Sequence, residues 1–234
     1  MAVAARAIST TVVLCVLSAL LVSSTAAVAS GPTPTSTTWT YDQAAHQLVG
    51  PPGTEPFAIK NGTAVGDGYG EWAVRFTTAP GLAYFTGSGF PAPGADDFAW
   101  TVDLAVDWIR AKSTANVAQA GLYSEQQIKL QLTRTGVPQC VLNGTGGRVF
   151  VTSAGASLAD GGLRHTVSCW RSGGTVGITV DCVSTTSTFA LGSIAPTTAP
   201  TVGNRSLTGK AGDQLYGRVW RLTVDTGPGA GPPC

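Results

Sequence analysis

The groups in this chain that could move protons are thirteen carboxylates and two histidines. Hydrolysis of a glycosidic bond needs two carboxyl groups at a set separation, one acid and one nucleophile or base. The only glutamates are Glu55, Glu71 and Glu125, far apart in the chain. Asp103 and Asp107 share one face of an alternating segment. Strand residues two apart on a face are about 6.5–7 Å from each other, so this pair stands at roughly twice that, too far for a retaining mechanism. A solvated or salt-bridged strand face is the expectation there. His46 and His165 are the only histidines, and no Gly-x-Ser-x-Gly, zinc or phosphate-loop motif accompanies them.

Aromatic and cationic side chains offer binding chemistry instead. Trp100 and Trp108 alternate with core-forming residues and are assigned to the interior. Trp170 falls on the polar side of an alternating segment, and Trp220 stands between Arg218 and Arg221. Exposed indole rings stack on the apolar faces of sugars, and guanidinium groups add hydrogen bonds. Trp170, Trp220, Arg218 and Arg221 are therefore the candidate ligand-binding residues.

The segments that must position these groups are strands. Charged residues make up 12% of the 234 residues and glycine is abundant, which argues for a turn-rich β protein. Phe98 to Ile109 alternates throughout, with Phe98, Trp100, Val102, Leu104, Val106 and Trp108 on one side. Arg164 to Cys182 reads as a hairpin about Ser172-Gly173-Gly174-Thr175. Further strands are expected at 71–76, 82–85, 117–123, 128–132, 138–142, 148–151, 189–191, 201–202 and 217–224, with one or two short edge strands in 39–49. Residues 51–63 and 87–97 read as loops. So many short strands predict an antiparallel two-sheet β-sandwich or barrel. A formal net charge of +1 leaves no basic face for nucleic acid.

Residues 1–29 read as an export signal, with Arg6, an apolar run from Thr11 to Val22, and Ala27-Val28-Ala29 at the cleavage point. The run is short for a bilayer span, so no membrane association is expected after cleavage. Residues 30–38 read as a flexible leader, 39–226 as one domain, and 227–234 as a Gly/Pro tail ending in Cys234. Cys140, Cys169, Cys182 and Cys234 follow the signal, and an even count in an oxidising compartment suggests disulfides. Three pairings are open. We favour Cys140 with Cys169, whose loop of about thirty residues is worth roughly 3–4 kcal/mol. Cys182 with Cys234 would pin the tail.

From Phe98 onward the ordered motifs resemble a known family. They are Phe98-Ala-Trp-Thr-Val-Asp, Asn116-Val-Ala-Gln-Ala-Gly121-Leu-Tyr123, Ile128-Lys-Leu-Gln-Leu132, Arg164-His165-x-Val167-x-Cys169-x-Arg171, Val176-x-Ile178-x-Val180-Asp181, and Gly209-Lys210-x-x-Asp213-Gln214-Leu215-x-Gly217-Arg218-Val219. Together they are similar to the laminin-G-like jelly rolls of the concanavalin A-like lectin/glucanase superfamily, in the small exported bacterial form. The likeness covers residues 98–224 well and 39–97 loosely. It implies that Val167, Cys169, Val176, Ile178 and Val180 point inward, that Cys169 meets Cys140, and that His165 has a structural place beside the inward valine. Relatives often bind calcium at the sandwich rim, which makes Asp96, Asp97 and Asp213 the candidate calcium ligands. No other cofactor is implied. The chain departs from the pattern at Asp181-Cys182, where relatives turn on Asp-Gly, at Ala211-Gly212, where relatives often have a cysteine, and at Trp220, usually an acidic position. Gln127-Ile128-Lys129 carries lysine where jelly-roll lyases carry a catalytic histidine. The expectation is thus a secreted, non-catalytic module for carbohydrate or cell-surface glycan. The alternatives are a polysaccharide-active hydrolase or lyase of the superfamily, or a structural domain or one that binds an extracellular protein, without sugar affinity.

Overall fold

The computed structural model describes residues 33–208, 213–231 and 234. The export signal, Cys15 and the Gly209-Lys210 and Ala211-Gly212 positions lie outside the described residues. The strands are β1 (Thr35–Asp42), β2 (Gln47–Val49), β3 (Phe57–Lys60), β4 (Gly62–Gly66), β5 (Trp72–Phe76), β6 (Leu82–Phe85), β7 (Phe98–Trp108) and β8 (Ala115–Ala120). They continue as β9 (Gln127–Leu132), β10 (Pro138–Gly144), β11 (Gly147–Thr152), β12 (Arg164–Ser172), β13 (Thr175–Val180), β14 (Val183–Thr188), β15 (Thr201–Val202) and β16 (Tyr216–Thr226). Among the described residues there is no α-helix.

All pairing is antiparallel, and one hydrogen-bonded path runs β11-β10-β9-β8-β15-β6-β3-β2-β1-β16-β7-β12-β13-β14. The path folds over on itself, so β10 and β11 pack across from β12, β13 and β14. A sheet this long curls into two facing layers because twisted strands cannot stay flat over such a span. The result is the expected antiparallel jelly-roll sandwich. β7 lies in the middle of one layer, between β16 and β12, and its first nine residues are buried. Trp100, Val102 and Leu104 meet Leu130, Cys140 and Leu142 of the other layer in one continuous core.

Val167, Cys169, Val176 and Ile178 point inward as the resemblance implies. Cys140 is bonded to Cys169, and Cys182 to Cys234. The first bond joins β10 to β12 through the core. The second ties residue 234 to the turn between β13 and β14. Asp181 and Cys182 both have positive φ, 45° and 69°, so they form a type I′ turn. Cysteine therefore takes a backbone conformation that glycine would hold more cheaply, and its bond to Cys234 keeps it there.

Three segments differ from the expectation. Residues 57–66 are strands β3 and β4 rather than loop, because Phe57, Ile59 and Val65 find partners on β6 and β5. The glycines and prolines around them masked the short alternation. Residues 189–191 are not a strand; the pairing falls one segment earlier, on β14. β14 has an edge position and little apolar surface, so its Ser/Thr sequence shows no alternation. β1 begins at Thr35, inside the expected leader, where threonines suit a ladder with Thr223–Thr226.

His165 stands at the inner end of β12, half-buried. Its Nε2 lies 2.8 Å from an oxygen of Asp160, and its Nδ1 lies 2.6 Å from one of Asp181. Burial alone would lower its pKa, but the hydrogen bonds and charges of Asp181 and Asp160 outweigh burial, and the net shift is upward. A histidine raised in the folded state contributes stability that is complete below its unfolded pKa, about 6.5, and is lost as pH rises through the higher folded value. Thermal unfolding should therefore show the protein less stable at about pH 9 than at about pH 6. His165→Gln should flatten that difference. An unchanged slope would remove His165 as its source.

Candidate functional site

The four candidate binding residues do not form one exposed patch. Trp170 lies beside Ala99 at the start of β7, and Trp220 lies beside Asp103 and Leu104 further along. Both rings are buried, at 5% and 4% exposure, contrary to the expectation that they face a ligand. Trp170 lies flat over Gly177, its cross-strand partner, where a Cβ would come within 2.4 Å of the ring. Its indole N–H donates to Thr179 Oγ1 at 2.9 Å. A polar-face position is thus filled by a ring that covers a glycine gap. Strand alternation cannot reveal this.

Trp220 is placed by a β-bulge. The register of β16 against β7 slips between Val219 and Arg221, which leaves Trp220 without an opposing residue. Such a slip turns two successive side chains to one face. Trp220 packs on Ala73 and Ala105 there, and Arg221 Nε donates to Asp103 at 2.8 Å. Asp103, 3% exposed, also accepts from Arg164 and from the Thr166 hydroxyl, each at 2.9 Å. Arg164 pairs with Glu71 as well. Asp107 pairs with Arg75 at 2.8 Å and lies 3.6 Å from Arg218. The Arg164 and Arg218 guanidiniums stand 4.8 and 5.6 Å from the Trp220 ring. Burial would lower the pKa of Arg164, but its bonds to Glu71 and Asp103 raise it overall. A cleft of about 270 Å³ opens beside this network, lined by Tyr41, Glu71, Trp72, Arg164, Trp220 and Arg221. Arg218, Arg221 and Trp220 are therefore together. Their chemistry is spent on one another, and the Asp103/Asp107 face is salt-bridged as the sequence suggests.

The three rim aspartates do not converge. The Asp96 carbonyl accepts from Arg171 Nε at 3.0 Å. The Asp97 carboxylate accepts from the Gly173 N–H at 2.7 Å. Asp213 pairs with Arg205 at 3.0 Å. Among the described residues no three His, Cys, Asp or Glu side chains gather where they could hold a metal ion. The residues present do not fit the expected calcium site. What the rim holds instead is Arg171, which also donates to the carbonyls of Gly94 and Gly192.

A second face carries binding groups that the sequence reading passed over. On β8 to β11 the outward residues form three cross-strand rows. Asn116, Gln131, Gln139 and Thr152 make one, and Gln119, Lys129, Val141 and Phe150 the next. Gln127, Asn143 and Arg148 make the third. Gln131 donates to Gln139 at 2.6 Å, and Gln139 to Thr152 at 2.7 Å. Gln119 and Gln127 both donate to the Gly121 carbonyl. Gly121 has φ of 78°, and a Cβ there would lie 2.0 Å from the Gln126 carbonyl, so only glycine fits the turn that carries Tyr123.

Glu125 locks that turn. It accepts from the Leu122 N–H at 2.7 Å and from Thr197 and Thr198. Burial is the largest single influence and raises its pKa, but the bonds from Thr197, Thr198 and Leu122 together prevail and hold it at about 2. Tyr123 is 73% exposed and Phe150 54%. The Arg148 guanidinium lies 3.6 Å from the Tyr123 ring centroid. A cleft of about 540 Å³ follows, bounded by Gln119, Tyr123, Gln127, Lys129, Arg205 and Thr208. The side-chain amide of Asn116 and the hydroxyl of Thr201, which opposes Gln119, are buried with no partner among the described residues. The available signal was the period-two spacing of Gln127, Lys129 and Gln131 against Ile128, Leu130 and Leu132.

No protein-family model and no curated protein matches the chain. Solved structures do. The binding domain of Paraclostridial Mosquitocidal Protein 1 matches with a TM-score of 0.66 at 9% identity, over 84% of this chain and 49% of that one. Trypanosoma rangeli sialidase in complex with sialic acid matches with a TM-score of 0.57 at 13% identity, over 80% and 30%. The mouse laminin alpha1 chain, domains LG4-5, is more distant, with a TM-score of 0.46 at 18% identity over 65% and 43%. The chain thus spans half or less of the length of the solved chains it matches. At these identities the first two likenesses show the fold alone, an antiparallel jelly-roll sandwich.

Proposed function

We propose that this chain is an exported, non-catalytic binding module of the laminin-G-like kind, and that its ligand is a carbohydrate met on the outer face of β8 to β11. The observation that carries the reading is the cleft beside Tyr123, floored by Gln119, Gln127 and Lys129. Gln119 and Gln127 are each 3% exposed and give an N–H to the Gly121 carbonyl, so the polar groups most open to sugar hydroxyls are Lys129, Ser206 and Thr208 of the cleft wall. Tyr123 and Phe150 supply exposed ring faces for the apolar side of a pyranose. The two disulfides suit an oxidising compartment and support export. Non-catalytic action is favoured because the acids that come together are engaged by cationic side chains: Glu71 and Asp103 share Arg164, and Asp160 and Asp181 share His165.

A glycan array probed with the mature chain, with and without calcium, tests this reading. Tyr123→Ala should weaken the best hit about tenfold, the loss of about 1.4 kcal/mol of stacking. An empty array in both conditions would overturn carbohydrate binding and turn attention to an extracellular protein partner. Full affinity in Tyr123→Ala would move the site off this face.

A further inference from the structure

We infer that the cleft on β8 to β11 selects an anionic glycan, one whose sugar rings carry carboxylate or sulfate, and that Lys129 is the residue that selects it. The inference rests on the carbohydrate reading of this face and adds the charge of the ligand.

Cations border the cleft and no carboxylate does. Lys129 and Arg205 line it, and Arg148 lies over the Tyr123 ring at its edge. Asp213, the acid whose charge acts on Lys129, is taken up by Arg205 at 3.0 Å. Among the described residues Lys129 makes no hydrogen bond and no ion pair, although it is half-buried between Gln119 and Val141. A half-buried ammonium with no counter-ion is costly, and a ligand anion would relieve that cost.

The titration of the group agrees with this placement. Burial pushes the Lys129 pKa down; Asp213 opposes the shift and Arg205 reinforces it. The surroundings fit a sugar acid better than a small inorganic anion. The Thr208 and Ser206 hydroxyls across the cleft offer partners for sugar hydroxyls beyond the charge. The buried Thr201 hydroxyl beneath the same row is still unpaired.

The test uses the mature chain and three probes: oligogalacturonate, its neutral carboxyl-reduced form, and that reduced form after sulfation. Calorimetry should show at least one charged probe binding about tenfold tighter than the neutral one, with the preference fading as salt rises. Whichever charged probe wins identifies the anion. Lys129→Met should abolish the preference, and Lys129→Arg should retain most of it. Melting curves of both variants report whether the fold is intact, and Arg205→Gln gives a second route to the same loss. Equal binding of charged and neutral probes would overturn the inference, as would a preference that survives Lys129→Met. Failure of all charged probes would overturn it too, while hits with neutral sugars on the array would leave carbohydrate binding standing.

Discussion

Replacing Cys140 and Cys169 together with alanine should lower the unfolding free energy by about 4–5 kcal/mol. The bond closes a loop with a sequence separation of 29 residues, for which chain entropy alone gives roughly 3.5 kcal/mol. Both cysteines are fully buried in the central cluster, so the substitution also leaves a void between the layers. Domains of this size have stabilities of about 5–15 kcal/mol, so the loss is a large share of the total. Urea unfolding of the double variant checks the figure, and a loss below about 1 kcal/mol would mean the two layers hold without the bond. The Cys182–Cys234 pair closes a longer loop, 52 residues, but both of its cysteines are exposed. Its loss opens no cavity, and mild reductant should cleave it first. Mass spectrometry under graded reductant reports the order.

Arg171→Met should cost about 3 kcal/mol, and Arg171→Lys should recover less than half of it. The guanidinium is buried, lies 5.2 Å from the Phe98 ring centroid, and donates to carbonyls at Gly94, Asp96 and Gly192. Two glycine- and proline-rich loops are therefore clipped together by one side chain. Burial lowers its pKa, and the charges of Asp97 and Asp96 partly restore it, so the group is held by carbonyl dipoles more than by salt bridges. Lysine offers a point charge and cannot span three carbonyls. Methionine fills the stem's space but leaves the carbonyls to find water. Proteolysis should become faster within 87–97 and 189–196. Unchanged melting and unchanged cleavage would show that the loops hold without the clip.

Much of the frame was legible because burial writes a period of two into the chain. β7 alternates over eleven residues, although Trp108 at its end is 49% exposed and stacks on Tyr216 instead of entering the core as expected, and the β12–β13 hairpin separates its apolar and polar sides. β3, β4 and β14 were hidden for the opposite reason. They are short or at an edge, and their neighbours supply the burial that their own residues do not display. Trp170 shows the limit most sharply. Its register places it on the outer face correctly, yet whether an outer ring meets solvent depends on Gly177 across the strand. Trp220 adds a bulge, which shifts register by one and has no sequence signature of its own. The amide face was passed over because glutamine and asparagine carry no motif. Their meaning appears only when three strands bring Gln119, Gln127, Gln131 and Gln139 side by side.

The place of β16 bears on how the molecule can reach its native state. This strand separates β1 and β5 on one side from β7 on the other, and Thr38 meets Thr223 across 185 residues of chain. Until it is in position, β7 has a free edge, and β1 to β3 are tied to the rest of the sheet only through β6 and β15. Contacts so distant in sequence make for slow, late closure. β8 to β11 and β12 to β14 follow one another as hairpins and can form before β16 is made, but one edge of β7 stays unlatched until that last strand arrives.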